Sequence, residues 1–254
     1  MSKGRGATKL GVLPVLSILR QLRGVAGDGR PLSVAGAREL VPLLARELRA
    51  GGDAGAVAEG RVEGSAALIW VGAPDEEVLR RARRANVPVV AVSDRDAVPY
   101  VLAENVVRIP PGSGFPMEEI ATAIARVLGD DGTALAARLP VLRGAVCDRL
   151  IATAARRNAA IAAAVFVPGV DMPILTTNQI RLVLRIALAY GEELDANRAA
   201  EILGVVGAGL GFRAVAREAL DLIPVAGWAL KGAVAYSGTR AIGAAAVRLC
   251  EARG

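Results

Sequence analysis

The sequence predicts an α+β protein: a small parallel α/β region followed by an all-α, Ala/Gly-rich apolar helical domain. Between residues 65 and 128, short unbroken apolar runs alternate with charged amphipathic segments, the pattern of parallel strands joined by right-handed helical crossovers. From residue 133 onward, strand-length runs give way to long apolar stretches at helical spacing, broken by Pro168, Pro173 and Pro224. The composition is 53% hydrophobic but 3% aromatic, so the core relies on Ala, Val and Leu and on close backbone approach. A length of 254 residues allows one large or two ordinary domains. The divisions expected are 1–32 (a basic N-terminal arm), 33–130 (a Rossmann-like α/β domain) and 133–254 (a hydrophobic helical domain).

The first 30 residues carry Lys3, Arg5, Lys9, Arg20, Arg23 and Arg30 against Asp28, around an apolar run at 10–19. Pro14 inside that run, the arginines after it and the lack of a small-x-small cleavage site argue against a secretory signal. A disordered basic arm and a short amphipathic helix on anionic lipid are the two readings of this stretch. Residues 33–50 read as a helix with Leu40, Leu43, Leu44 and Leu48 on one side, and 51–64 as a Gly/Ala-rich loop. Strands are expected at 66–71, 87–92 and 105–109, the first as a buried parallel strand. Helices are expected at 75–84 and 117–128, with a short helix or turn at 96–103.

A helical region begins at 133, is interrupted by Pro140, and resumes as a long helix over 141–167 that carries Arg156-Arg157-Asn158 in its middle. The stretch 167–173 forces a break. Thr176 or Thr177 can then cap a helix running to Tyr190. At 100° per residue Asn178, Arg181, Arg185 and Glu192 fall on one polar stripe, while Gln179 points with Val183, Ile186 and Tyr190 into the apolar face. Gln179 is either a core amide bonded to the preceding loop or a ligand-facing amide. Ala200, Gly204 and Ala208, with Gly207 and Gly211, recur at three- and four-residue steps and read as a small face for close helix approach. A last helix is expected over 228–253, with Tyr236 and Arg240. No apolar stretch reaches the ~20 residues that a membrane span needs.

Two resemblances attach to these residues. Pro168-Gly169-Val170-Asp171, followed by Asn178-Gln179-Ile180-Arg181 and the apolar run to Tyr190-Gly191, is similar to the GTPase-associated hydrophobic domain of the YcjF type. That family is often fused to, or encoded beside, Era-like small GTPases. Ile223-Pro224-Val225-Ala226-Gly227 and the run from Ala235 to Gly243, with Tyr236 and Thr239, fit its C-terminal half. The resemblance covers residues 149–251 and implies a membrane-associated helical domain. With the polar stripe and the small face, it gives the structural and partner candidates Pro168, Asp171, Gln179, Arg181, Arg185, Gly204, Gly207, Pro224, Gly227, Tyr236, Thr239 and Gly243.

The α/β segment resembles the back half of an Era-like P-loop GTPase domain, in degenerate form. There a strand ending in Asn-Lys-x-Asp reads guanine. The matching tip is Ser93-Asp94-Arg95-Asp96, in which only Asp96 agrees, and the family's second base-contacting loop falls at 110–114. No G-x-x-x-x-G-K-[ST] occurs in the chain, so the N–H cradle, phosphate lysine and Mg²⁺ hydroxyl of a phosphate loop are missing. Residues 4–9 lack the spacing and a preceding strand, and Gly207, Gly209 and Gly211 lie in a helical pattern.

Composition narrows the classes of function. Lys and Arg outnumber acids 31 to 25, giving a net charge of +6 that favours anionic surfaces. Few aromatics argue against a single-strand stacking platform, and the absence of His removes the commonest general base and metal ligand. Cys147 and Cys250 form no metal-type cluster. The pairs Asp94/Asp96 and Glu192/Glu193 read as caps or solvated charges. The expectation is a non-catalytic, membrane-associated scaffold or regulatory protein on the cytoplasmic side of the cell membrane. It would have no catalytic or metal residues and no cofactor. A small GTPase or other protein, an anionic membrane and a second copy of the chain are the expected partners, and nucleic acid is not. The alternatives are a soluble helical interaction module with a degenerate nucleotide-fold domain and, behind it, a nucleotide-dependent enzyme.

Overall fold

In the computed structural model, residues 32–36, 57–59, 67–71, 89–93 and 106–108 are strands, named β1 (Leu32–Gly36), β2 (Val57–Glu59), β3 (Ala67–Val71), β4 (Val89–Ser93) and β5 (Val106–Arg108). They form one parallel sheet in the order β2-β1-β3-β4-β5, with several helices around and after it, an α+β chain. The structure describes residues 17–25, 27–110, 112–164, 172–208 and 227–253. The chain divides into one unit of residues 27–149 and another that joins residues 1–26 to 150–254.

In the sheet unit the helices are α2 (Val41–Arg49), α3 (Glu76–Arg84), α4 (Met117–Leu128) and α5 (Gly132–Arg138). Every residue of β3 is buried, because apolar side chains leave a central parallel strand on both faces and both are covered. Ala35, Leu68, Trp70 and Ala91 pack on one face with Leu79 and Ala82 of α3. By alternation Val34, Ile69, Val71, Val90 and Val92 point to the other face. The register Leu32↔Ala67, Leu68↔Val89 and Ala91↔Val106 keeps these sets in line. Asp75 caps α3 by accepting from the Glu77 and Val78 N–H groups at 2.9 and 3.2 Å, so the helix starts where its orphan donors are met.

The structure corrects the sequence reading at the front of this unit. Residues 32–36 are the strand β1, not part of a helix over 33–50. Leu32, Val34 and Ser33 are fully buried, and the Ser33 hydroxyl is met by donating to the Arg61 carbonyl. The leucine spacing that suggested a helix belongs to α2 alone, which begins after Gly36 breaks the strand and takes Pro42 in its first turn. β2, inside the expected loop, is only three residues long and pairs with β1 at the sheet edge. The expected helix or turn near 96–103 is a turn followed by a single 3₁₀ turn at Ala103–Asn105.

The helical unit contains α1 (residues 17–25), the later part of α6 (Arg143–Ala164), α7 (Met172–Ala189), α8 (Ala196–Ala208) and α9 (Gly227–Glu251). Of the expected basic arm, residues 17–25 are a helix with Ile18, Leu19 and Leu22 buried, and they group with the helical unit. Residues 1–16 and 26 of that arm lie outside the described residues, and its last residue, Leu32, begins β1. α7 starts at Met172, four residues ahead of the expected cap. Pro173 fits its first turn, and Thr177 donates back to the Pro173 carbonyl at 2.7 Å instead of capping.

Candidate functional site

In a doubly wound sheet of this strand order, ligands bind beyond the carboxyl ends of the strands where the chain reverses direction, between β1 and β3. Here the two chains stay paired past that point. Ala37 donates to the Val71 carbonyl at 2.8 Å, continuing the ladder beyond Gly36. Gly36 has φ +130°, and a Cβ there would lie 2.0 Å from Val71 O; a Cβ on Gly72 would lie 2.9 Å from that of Ala37. The two glycines thus let the loops close on each other across the crevice.

The neighbouring loop tips are engaged with themselves. The buried Ser93 hydroxyl donates to Asp94 Oδ1 and accepts from the Arg95 N–H, both at 3.3 Å. Asp96, the residue that matches the guanine-reading motif, pairs with Arg108 at 3.0 Å in solvent. Ser113 Oγ donates to the Pro110 carbonyl at 2.5 Å, closing the loop that follows β5.

In the helical unit, three helices meet through polar side chains. Asn178 on α7 donates to Oδ1 of Asn158 on α6 at 2.9 Å; Asn158 Nδ2 donates to Thr239 Oγ1 on α9 at 3.0 Å; and Thr239 donates to the Ala235 carbonyl at 2.7 Å. Asn158 and Thr239 are fully buried and Asn178 half-buried. Each link in this relay is satisfied, which makes it a device for fixing helix register as much as for holding helices together. The amide that enters the interface is therefore Asn178, expected on the polar stripe, while Gln179 is only half-buried. Asn158 was not among the sequence candidates. Its partners lie 20 and 81 residues away, and no periodic signal links them.

Of the expected small face, Gly204 and Gly207 lie among the described residues and Gly211 outside them. Gly204 and Gly207 are exposed, and a Cβ at either meets nothing within 4 Å among the described residues. Close approach occurs on α9 instead. A Cβ at Gly243 would lie 2.4 Å from Ile151, and one at Gly232 would lie 3.3 Å from the Ala159 carbonyl. Gly232, Ala235, Thr239 and Gly243 step along α9 at intervals of three and four, so this helix presents its small residues to α6.

The remaining candidates spread over the unit. Arg181 donates to Gln21 Oε1 on α1 at 3.1 Å, and Arg185 is half-buried one turn on. Arg240 lies against the Tyr236 ring, 6.0 Å from its centroid. Gly227 opens α9. Pro168, Asp171 and Pro224 lie outside the described residues. Glu192, read as a cap or a solvated charge, pairs with Arg198 at 2.7 Å; Arg198 also holds Glu201 at 2.9 Å, and Arg253 reaches Glu201 at 2.8 Å. The hydrogen bond from Arg198 holds the Glu201 carboxyl below its ordinary value, and burial pushes the Cys250 thiol up to about 11. A thiol so raised is a poor nucleophile. Among the described residues, no group of His, Cys, Asp and Glu could hold a metal ion, and no helix is long and apolar enough to cross a membrane.

In comparisons with known proteins, no family model, curated protein or solved structure matches this chain.

Proposed function

We propose that this chain is a non-catalytic scaffold or regulatory protein that acts at a membrane surface with a small GTPase or another protein partner. In this reading the sheet unit is a degenerate GTPase-like half and the Ala/Gly-rich helical unit a YcjF-type hydrophobic domain. The observation that carries the non-catalytic part is the closure of the β1/β3 crevice through Gly36 and Gly72, at the place where the fold class holds a nucleotide. The engagement of Asp96 by Arg108 supports it. Titration calorimetry with GTP and GDP in the presence of Mg²⁺ tests the reading. No binding that Asp96→Ala removes is expected, and micromolar binding that depends on Asp96 refutes it.

The membrane part rests on the resemblance and on apolar side chains left in solvent at helix starts: Ile174 on α7 is 49% exposed, and Leu230 on α9 is partly exposed too. Lys3, Arg5 and Lys9 add attraction of roughly 1 kcal/mol each near an anionic surface. Full-length protein is expected to float with acidic liposomes at low salt, and loss of residues 1–16 to weaken but not abolish flotation. A soluble interaction module is the second reading. It is favoured by α7, whose Leu182, Val183, Leu184, Ile186 and Ala187 are already buried within the unit. Protein that stays unbound and monodisperse in every lipid and salt condition selects it.

A further inference from the structure

Two unusual backbone conformations and an unmet buried acceptor gather at the opposite end of the sheet, by the amino-terminal ends of β4 and β5. An open cavity of about 740 Å³ lies there, lined by the end of α3, the start of β4, the 100–105 segment and Val127 of α4. Asn86 and Tyr100 line it, and they are the non-glycine residues with positive φ among the described residues, at 53° and 64°. An aromatic residue rarely adopts that backbone. The Tyr100 side chain is held out, 43% exposed, beside Leu102, which is 66% exposed. Arg83 crosses the Tyr100 ring with Cζ 5.8 Å from its centroid, and no ion pair of Arg83 occurs among the described residues. Asn105 also lines the cavity. It is 8% exposed, and its Oδ1 has no hydrogen-bond partner among the described residues. A buried acceptor left unmet is costly and rare.

These groups ask for complementary chemistry. The ring and Leu102 offer a flat apolar surface, the guanidinium is a cation without a counter-charge, and the carboxamide oxygen lacks a donor. The terminal torsion of an Asn side chain is soft, so the oxygen can turn towards a bound group. No acidic side chain lines the cavity, and Arg80 and Arg84 are exposed on the same helix end. We propose that this cavity binds a small aromatic anion carrying an N–H donor: the ring lies against Tyr100 and Leu102, the anionic group meets Arg83, and the N–H meets Asn105. The size falls in the ordinary range for small-ligand sites. A carboxylate and a phosphate would meet Arg83 equally well, so two sources share this chemistry, a ring carboxylate and a mononucleotide.

The full chain is titrated by calorimetry with indole-3-acetate and, separately, adenosine 5′-monophosphate, both without Mg²⁺. Binding of either at millimolar concentration or tighter is expected, and which one binds identifies the source. Arg83→Gln should weaken it roughly tenfold, the order of a lost charge-assisted hydrogen bond. Tyr100→Gly should weaken binding too while leaving the melting midpoint unchanged or higher, because glycine relieves the positive φ. A folding defect would lower that midpoint, so the two effects separate. Failure of both probes to bind overturns the proposal, as does binding that neither substitution changes. Either result leaves the reading of the β1/β3 crevice standing, since that edge shares no residue with this cavity.

Discussion

The two units of this chain solve the same problem, burying an Ala- and Val-rich sequence with few aromatics, by different means. In the sheet unit, backbone hydrogen bonds set the spacing, and side chains fill the gap between sheet and helix: Leu68 and Trp70 of β3 against Leu79 of α3. Small residues matter there at loops, Gly36, Gly52 and Gly72. In the helical unit no ladder links the elements, so spacing has to come from the side chains. Gly243 and Gly232 let α9 close on α6, and the Asn178-Asn158-Thr239 relay sets their register. A core short of large side chains can be specified by backbone pairing or by buried amides.

Substitutions at the two kinds of position should separate these devices. The largest effect is expected from Gly36→Ala. Its φ of +130° is barred to side-chain-bearing residues, and the new Cβ meets backbone that cannot give. A loss of about 3 kcal/mol or more is expected, seen as a lower calorimetric transition. A stable Gly36→Ala protein would mean that the β1/β3 crevice can open. Next is Asn158→Leu, which strands the Asn178 amide and takes a donor from Thr239, at about 2 kcal/mol. Combining it with Asn178→Leu should cost less than the sum of the two singles, the mark of a coupled relay. Strict additivity in chemical denaturation would dissolve the relay into independent contacts.

A matched pair of glycines sharpens the contrast within the helical unit. Gly243→Ala should destabilise by about 1 kcal/mol or more, because Ile151 has to move. Gly204→Ala, where a Cβ meets nothing among the described residues, should stabilise by up to about 1 kcal/mol through helix propensity. Equal effects at both sites would remove the case for a close-packed stripe on α9. The smallest effect concerns pH. Arg198 holds the folded Glu201 carboxyl below its unfolded value. Its contribution is therefore present above the unfolded value and lost as pH falls through the folded one. Glu201→Gln should lower the neutral midpoint slightly and leave the acid value unchanged, so that its acid limb is flatter. An acid limb identical to that of the wild type would show the pair to be energetically idle.

Sequence legibility followed the same division. β3, β4, α3 and α4 could be read because each is a continuous apolar run or a strong amphipathic pattern bounded by Gly, Pro or Asp. β1 was hidden because its five residues abut a leucine-spaced helix, and β2 because three residues carry no period. In the helical unit the existence of the helices was legible, but their contact faces were not. Gly204 and Gly207 had the right spacing on a helix side that is exposed, whereas Gly232 and Gly243 acquire meaning only opposite Ala159 and Ile151. The cavity beside Asn105 was illegible for the same reason. It depends on where Tyr100, Arg83 and Asn105 meet, and on a positive φ that no residue type announced.

The placement of the two cysteines gives the chain a pair of internal clocks. Cys147 falls in the unit of residues 27–149 and Cys250 in the other, both buried and unbridged. A thiol that solvent cannot reach reacts with an alkylating reagent only when its surroundings open, so its labelling rate counts local openings rather than intrinsic reactivity. Burial also raises Cys250 to about 11, so in the closed state the thiol is protonated as well as covered, and opening relieves both. Timed alkylation read by mass spectrometry would follow each unit separately in the unmodified protein, with no dye or tag to perturb either core.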